Sequence, residues 1–415
     1  MKVLDKLKIF KKNSMFPDML FSYPSTYLFK KEIEEIFLDK IILDNNILYI
    51  HIPFCVRVCS FCTVHKTEYK NEKETNKYFD ILYKEIDFFS AKINWKIKWI
   101  YIWWGTPTMI SHIELEKLFK KIYNSFEIDS NCNIEIDAHP STLNDNKLKV
   151  LSKYNISQIT MWIQSMQDNV LNTIGRLNHS YRILEKLSKK LKKYNFKLHF
   201  DFVLGLPWDD NYEDIKKSVI FVIEKFKPFS ISINSYDHTI DSRLYKKSSF
   251  DFNNKIYKEK LFKDINNLNT YIKENYNIKR KKTFYFKNFW ENWYNVIWIW
   301  AGSYWFIKWQ WFYKNYDYLD YIEKWFIKKG IKYTLLDEKI MFLIHNYWLE
   351  DINIKYEKLF WTMIIDDFKN KINYFLEKKL IIISWKKVFF RFKSTAIAKF
   401  ELIELYSNKV LNLYN

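Results

Sequence analysis

Glycine is almost missing from this chain: 5 occur in 415 residues, where average usage of about 7% would place about 29. Cysteine is scarce as well. There are four, three of them clustered in one short run, which excludes a disulfide framework and favours reduced thiols around a metal. Cys132, alone in CNIEID, reads as a small buried hydrophobe. The first forty residues mix lysines with apolar residues and hold no long apolar run ending in small residues, so neither a signal peptide nor a membrane anchor is expected, and the cytoplasm is the expected location. Arginine-rich and glycine-aromatic binding motifs are lacking too. Lysine is scattered through helical stretches, so the net charge of +19 reads as a solvated surface and no nucleic-acid partner is expected. In excess is tryptophan, with 17. Glycine and tryptophan together come close to an ordinary glycine content.

The hydrophobic fraction of 48% supports a full core and more than one packing unit. From residue 47 to 235, short β-rich runs alternate with longer amphipathic ones. The runs LYIHI (48–52), IKWIYI (97–102), NIEID (133–137), QITMWI (158–163), LHFDFV (198–203) and FSISIN (229–234) are predicted strands. Between them, Tyr78, Ile81, Leu82, Ile86 and Phe89 share one helical face. Leu184, Leu187, Leu191 and Tyr194 line another, and Ile215, Val219, Ile220 and Ile223 a third. Ser111 with Glu114 three residues on is a capping-box signal. Six βα units in series predict an α/β fold, a partial (β/α)6 barrel with function on loops at the C-terminal strand ends.

Residues 241–330 include a lysine-rich stretch near 278–282 and the aromatic run FWENWYNVIWIWAGSYWFIKWQWFYKNY. Glu291 and Lys308 interrupt that run, so no spanning helix is expected. Beyond it, two helical stretches, the hairpin pattern KLIIISWKKVFFRF and a final helix suggest a smaller α+β, winged-helix-like unit. The expected segments are therefore an extension (1–46), a core (47–240), a core extension or linker (241–330) and a C-terminal domain (331–415).

Cys55, Cys59 and Cys62 stand in YIHIPFCVRVCSFC, directly after the first predicted strand. Their CxxxCxxC spacing holds three thiolates close enough to grip three corners of an iron–sulfur cube, leaving one iron open to a small molecule. A structural zinc site is the competing reading, with His51 or His65 as the missing nitrogen ligand. The motif resembles the radical S-adenosylmethionine (SAM) enzymes, and within them the branch of oxygen-independent coproporphyrinogen III oxidase and the related haem chaperone.

That resemblance implies a [4Fe–4S] cluster on the three cysteines, with SAM chelating the open iron by its amino and carboxylate groups. One electron from a low-potential donor of flavodoxin or ferredoxin type then cleaves SAM to methionine and a 5′-deoxyadenosyl radical. Phe61 matches the position that contacts adenine. Trp103, Trp104, Gly105 and Thr106, followed by Pro107 and Thr108, occupy the place of the family's GGGTPT, which admits the SAM ammonium. Asp137 in IDAHP stands where the family has a glutamate. Gln164 in IQS and Arg176 in IGRLNHS match residues holding the SAM ribose and carboxylate, and Asp201 in DFVLGLP matches the ribose-binding aspartate. Tyr49 and His51 flank the motif.

Tryptophan stands at several of the family's glycine positions: Trp103 and Trp104, Trp162 in MWIQS, Trp208 in LPWDD, the run WIWAGSYWF, and Trp385 at the hairpin turn. The pattern implies that most or all tryptophans are glycines in the living protein, a UGA codon being read there as glycine. The oxidases of this branch carry a fourth cysteine two residues after the third, and here that position is Val64. The resemblance therefore points to a chaperone-like member of haem and porphyrin metabolism. Coproporphyrinogen III oxidative decarboxylation, or anaerobic haem-degrading methyl transfer, are the alternatives. Whether there is turnover or transfer of bound haem stays open. Porphyrin or haem is the expected partner, and membrane association is expected only if haem is delivered to membrane proteins.

Overall fold

The computed structural model describes residues 41–62, 66–176, 181–207, 212–235, 243–244, 295–299, 304–307, 310–313, 329–332, 334–347 and 349–392, with Leu402 and Leu405. All six predicted strands are present. They are β1 (Ile41–Ile52), β4 (Ile93–Gly105), β5 (Glu127–Ala138), β6 (Gln158–Gln164), β7 (Lys197–Leu204) and β8 (Ser230–Ser235). Two short strands, β2 (Phe54–Cys55) and β3 (Thr67–Glu68), lie between the first two. The six pair in parallel in chain order from β1 to β8. Such strands are covered on both faces and read as nearly continuous apolar runs. Accordingly, Ile47 to Ile52 are all buried.

Six helices lie between these strands, two of them between β6 and β7: α1 (Glu72–Lys92), α2 (His112–Ser125), α3 (Asp145–Lys153), α4 (Asp168–Thr173), α5 (Tyr181–Leu191) and α6 (Tyr212–Phe226). The predicted face of α1 is buried from Tyr78 to Phe89, and the Tyr78 hydroxyl donates to the His51 carbonyl across 2.7 Å, pinning α1 to β1. Helix α2 starts as expected, with the Ser111 hydroxyl accepting from the Glu114 amide. The Glu114 carboxylate accepts from the Tyr83 hydroxyl instead, so only half of the capping box is made there. On α6, Ile215, Val219 and Ile223 are buried, while Ile220 is half-exposed.

The aromatic run near residue 300 forms strands. β9 (Asn295–Ile299) adds in parallel to the free side of β1, and β10 (Tyr304–Ile307), β11 (Gln310–Tyr313) and β12 (Lys329–Lys332) continue antiparallel. The result is one ten-stranded sheet with β12 and β8 at its edges. Among the described residues no helix is long and apolar enough to cross a membrane.

The C-terminal unit packs α7 (Leu335–Asn346), α8 (Ile352–Phe360), α9 (Ile364–Asp367) and α10 (Lys369–Glu377) with a hairpin of β13 (Ile381–Ser384) and β14 (Lys387–Phe390). Thr334 and Asp337 form a full capping box on α7. Asn353 holds the hairpin to α8, donating to the Val388 carbonyl at 2.9 Å and accepting its amide at 3.0 Å. The helix expected after the hairpin, and Val64, His65 and Trp208, lie outside the described residues.

Candidate functional site

Two bulges shape the mouth of the sheet. On β4, His51 faces Trp103 and Ile52 faces Gly105, so Trp104 is an extra residue in the ladder. Its φ of +61° is followed by +57° at Gly105, the left-handed region that favours glycine. A Cβ at Gly105 would collide with the Ile52 carbonyl and with Pro53, so the chain leaving β1 for the cysteine loop requires a bare backbone there. On β6 the register slips between Trp162 and Gln164, and Gln164 takes φ +68°. Each bulge turns its strand end toward the same cavity.

The cysteine loop is anchored on both sides of that cavity. β2 pairs with β3, and Tyr69 donates its amide to the Cys55 carbonyl at 2.8 Å. The Ser60 amide donates to the Ile174 carbonyl just beyond α4 at 3.0 Å, and its carbonyl accepts from the Leu244 amide at 2.9 Å. Phe61 packs against Val170, Leu171, Ile174, Val203, Leu206 and Leu244.

The cavity measures about 370 Å³ and is lined by Cys55, Cys59, Cys62, Phe61, Trp104, Gly105, Thr106, Asp137, Trp162, Gln164 and Arg176, a volume suited to a small molecule. Nearly every residue singled out from sequence therefore meets there, across more than a hundred positions of chain. Two do not. Trp103 is buried and packs edge-on against Tyr101, ring centroids 4.6 Å apart. Strand alternation places it on the Tyr101 face, away from the cavity. Asp201 is buried on β7 beside its strand neighbour Trp162, with its carboxylate 3.5 Å from His199 Nε2. Sequence reasoning missed Val56, Arg57, Lys66, Ala138, His139 and Gly175, which also line the cavity. Their placement directly beside the quoted motifs was the available signal.

Burial pushes the Cys55 thiol up to about 12, partly offset by the Thr106 side chain and the Arg176 charge. Burial likewise raises Asp137 well above the usual carboxylate range, while the Trp104 amide, 2.9 Å from Oδ2, and the Trp162 indole act in the opposite sense. Among the described residues, three buried polar atoms here have no hydrogen-bond partner: Asp137 Oδ1, Gln164 Oε1 and Arg176 Nε. Orphaned atoms of opposite polarity around one cavity are a cradle for a ligand carrying both charges.

All four cysteines are free thiols, and Cys132 is half-buried on β5, against the core. Among the described residues no three His, Cys, Asp or Glu side chains are placed to hold a single ion; His65 lies outside them. His51 is fully buried on β1 and does not line the cavity. The three cysteines line the same cavity, and a cubane takes each of its thiolates on a different iron.

Residues 49–222 match the Radical SAM superfamily. The chain thus carries a radical SAM domain on the fold and cysteine site described above. It is related to haem chaperones and to oxygen-independent coproporphyrinogen III oxidases. The haem chaperone HemW of Lactococcus lactis is 28% identical over 198 residues, 47% of this chain and 51% of the relative. The oxygen-independent coproporphyrinogen III oxidase of Escherichia coli is 23% identical over 228 residues, 52% and 48% of the two chains. The chain spans about half the length of the curated relatives it matches. Among solved structures, coproporphyrinogen III oxidase (HemN) from Escherichia coli superposes with a TM-score of 0.70 at 17% identity, covering 87% of this chain and 90% of that one, a likeness of fold. The radical SAM family implies a [4Fe–4S] cluster and SAM.

Proposed function

We propose that the protein is a haem chaperone-like radical SAM protein acting in haem and porphyrin metabolism. The carrying observation is the cavity: the three cysteines line it together with Asp137, Gln164 and Arg176, each of which keeps one buried polar atom without a partner among the described residues, and relatives named as haem chaperones match part of this chain. Val64 in place of a fourth cysteine supports the chaperone-like branch over the oxidases.

In this reading Cys55, Cys59 and Cys62 hold the cluster. When bound, cluster and SAM supply one-electron and carbon-radical chemistry. Arg176 offers its planar fork to a carboxylate, Asp137 takes an ammonium once ionised, and Gln164 accepts from a hydroxyl or amine. Phe61 presents a ring for a purine, Gly105 lets the ligand approach the backbone, and Thr106 orders Cys55. Asp201 serves the ribose hydroxyls. A low-potential flavodoxin or ferredoxin is the electron donor, haem or porphyrin the partner and the cytoplasm the location. The segments 1–46, 47–240, 241–330 and 331–415 act as extension, core, core extension and C-terminal domain, although β1 begins ahead of the first boundary, at Ile41.

Titrating reconstituted protein with haem while following the Soret band, beside a SAM-cleavage assay with coproporphyrinogen III, tests the assignment. Tight haem uptake without decarboxylation is expected. Stoichiometric decarboxylated product would replace the chaperone with the oxidase.

A further inference from the structure

Three tryptophans occupy backbone that L side chains rarely adopt, and they do so in three unrelated kinds of local structure. Trp104 is the bulge residue at φ +61°. Trp361 closes α8 in the left-handed conformation, φ +58° and ψ +22°, with its amide donating to the Glu357 carbonyl at 2.8 Å; this is the helix-ending position at which glycine predominates. Trp385 and Lys386, at φ +50° and +60°, make the two-residue link between β13 and β14, where paired positive φ again selects for glycine. Gly105, Gly175 and Gly205 share this region, at +57°, +78° and +80°, while Gly330 lies in strand β12.

Trp104 packs edge-on against Tyr49 and His51, but at the other two positions nothing compensates the strain. Trp361 is 89% exposed and Trp385 is 94% exposed, so neither indole gains burial in return for its conformation. Trp104 and Trp162 project into the cavity beside the cysteines. With only 5 glycines against 17 tryptophans in the chain, the local geometry and the composition point the same way.

We infer that positions 104, 361 and 385, and with them Trp162, are glycine in the protein as its source cell makes it, and that the cavity is correspondingly larger. Removing two indoles widens it toward Asp137. Asp201, the strand neighbour of Trp162, then faces the cavity with no side chain beside it on β6. The part concerning ligand entry rests on the SAM-binding reading above; the part concerning residue identity does not.

Peptide mass spectrometry of the protein isolated from its source cell is the deciding measurement. Peptides covering 104, 162, 361 and 385 are expected to read glycine, and tryptophan there overturns the inference. A second measurement uses recombinant protein with tryptophan at every written position. Trp361→Gly and Trp385→Gly are each expected to raise the melting temperature, and a drop in both would count against the identity. The double variant Trp104→Gly/Trp162→Gly is expected to bind SAM at least tenfold more tightly by calorimetry, and equal or weaker binding overturns the enlarged cavity. If the peptides read glycine and the double variant still fails to bind SAM, the SAM reading falls and the residue identities stand.

Discussion

Arg176 reaches the thiol of Cys59, 3.7 Å from Nη1 to Sγ, across 117 positions of chain. Its Nη2 donates to the Trp162 carbonyl, and its Nε is buried without a partner. One guanidinium therefore ties the cysteine loop to the end of β6 and keeps a donor in reserve. Arg176→Lys preserves the charge and loses the fork. SAM affinity measured by calorimetry is expected to fall about tenfold, about 1.4 kcal/mol, with the visible iron–sulfur absorbance unchanged. Cys59→Ala is expected to abolish both that absorbance and SAM cleavage; retention of both would remove the cysteines from the site.

Asp137 predicts a trade of stability against binding. Because burial raises its folded pKa, the folded state holds the proton more tightly than the unfolded chain. Its contribution to stability is thus present at low pH and is lost as pH rises through the folded value. Asp137→Asn mimics the neutral acid, keeps an acceptor for the Trp104 amide and should raise the melting temperature at neutral pH. SAM affinity should drop, and the wild-type increase in affinity with pH should flatten. A variant that melts lower and binds SAM normally would contradict both halves.

Lys147 on α3 is buried and donates its ammonium to the carbonyls of Thr108, at 2.5 Å, and Thr142, at 3.0 Å, joining the loops that follow β4 and β5. Burial lowers it to about 8. Between about 8 and its ordinary value of 10.5 the unfolded chain binds more protons, so stability should rise with pH across that window. In Lys147→Met, denaturant unfolding measured from pH 7.5 to 10.5 (roughly the window set by these values) should lack that component of the rise. An identical pH slope in both proteins would place the ammonium in solvent.

In the C-terminal unit, Asp367 accepts from Lys339 Nζ at 2.7 Å and from the Tyr356 hydroxyl at 2.7 Å. Burial opposes its charge, yet these partners hold the carboxyl below its ordinary value. Its stabilisation is therefore present above the unfolded pKa and fades as pH falls through the folded one. Asp367→Ala leaves a buried ammonium facing Phe360 and should cost about 3 kcal/mol in denaturant unfolding at neutral pH. A loss below about 0.5 kcal/mol, the ordinary surface value, would mean the pair is solvated.

What the chain revealed before folding follows from period and punctuation. The six parallel strands were legible because each is a short β-rich run between amphipathic helices, and the cysteine spacing because it is local. β9 to β12 were not, since aromatic residues fill half of that run and stand at consecutive positions, as in Tyr304–Phe306 and Trp311–Tyr313, which erases the alternation that identifies a half-buried strand. The bulge at Trp104 and the slip at Gln164 depend on neighbouring strands and leave no periodic trace. Lys147 looked like any lysine on an amphipathic helix; only the approach of two loops from other strands buries it. Asp201 was found by its motif, but its distance from the cavity depends on what stands at Trp162, one strand away.

The position of β9 bears on when the protein can mature. β1, the strand that delivers the cysteine loop, is flanked by β4 on one side and β9 on the other, so its full hydrogen-bonding pattern is completed by residues 295–299. A ribosome that has released the three cysteines still has some two hundred and forty codons to read before that flank exists, as the numbering of Cys62 and Ile299 shows. β1 therefore gains its second flanking strand only after most of the polypeptide has been synthesised.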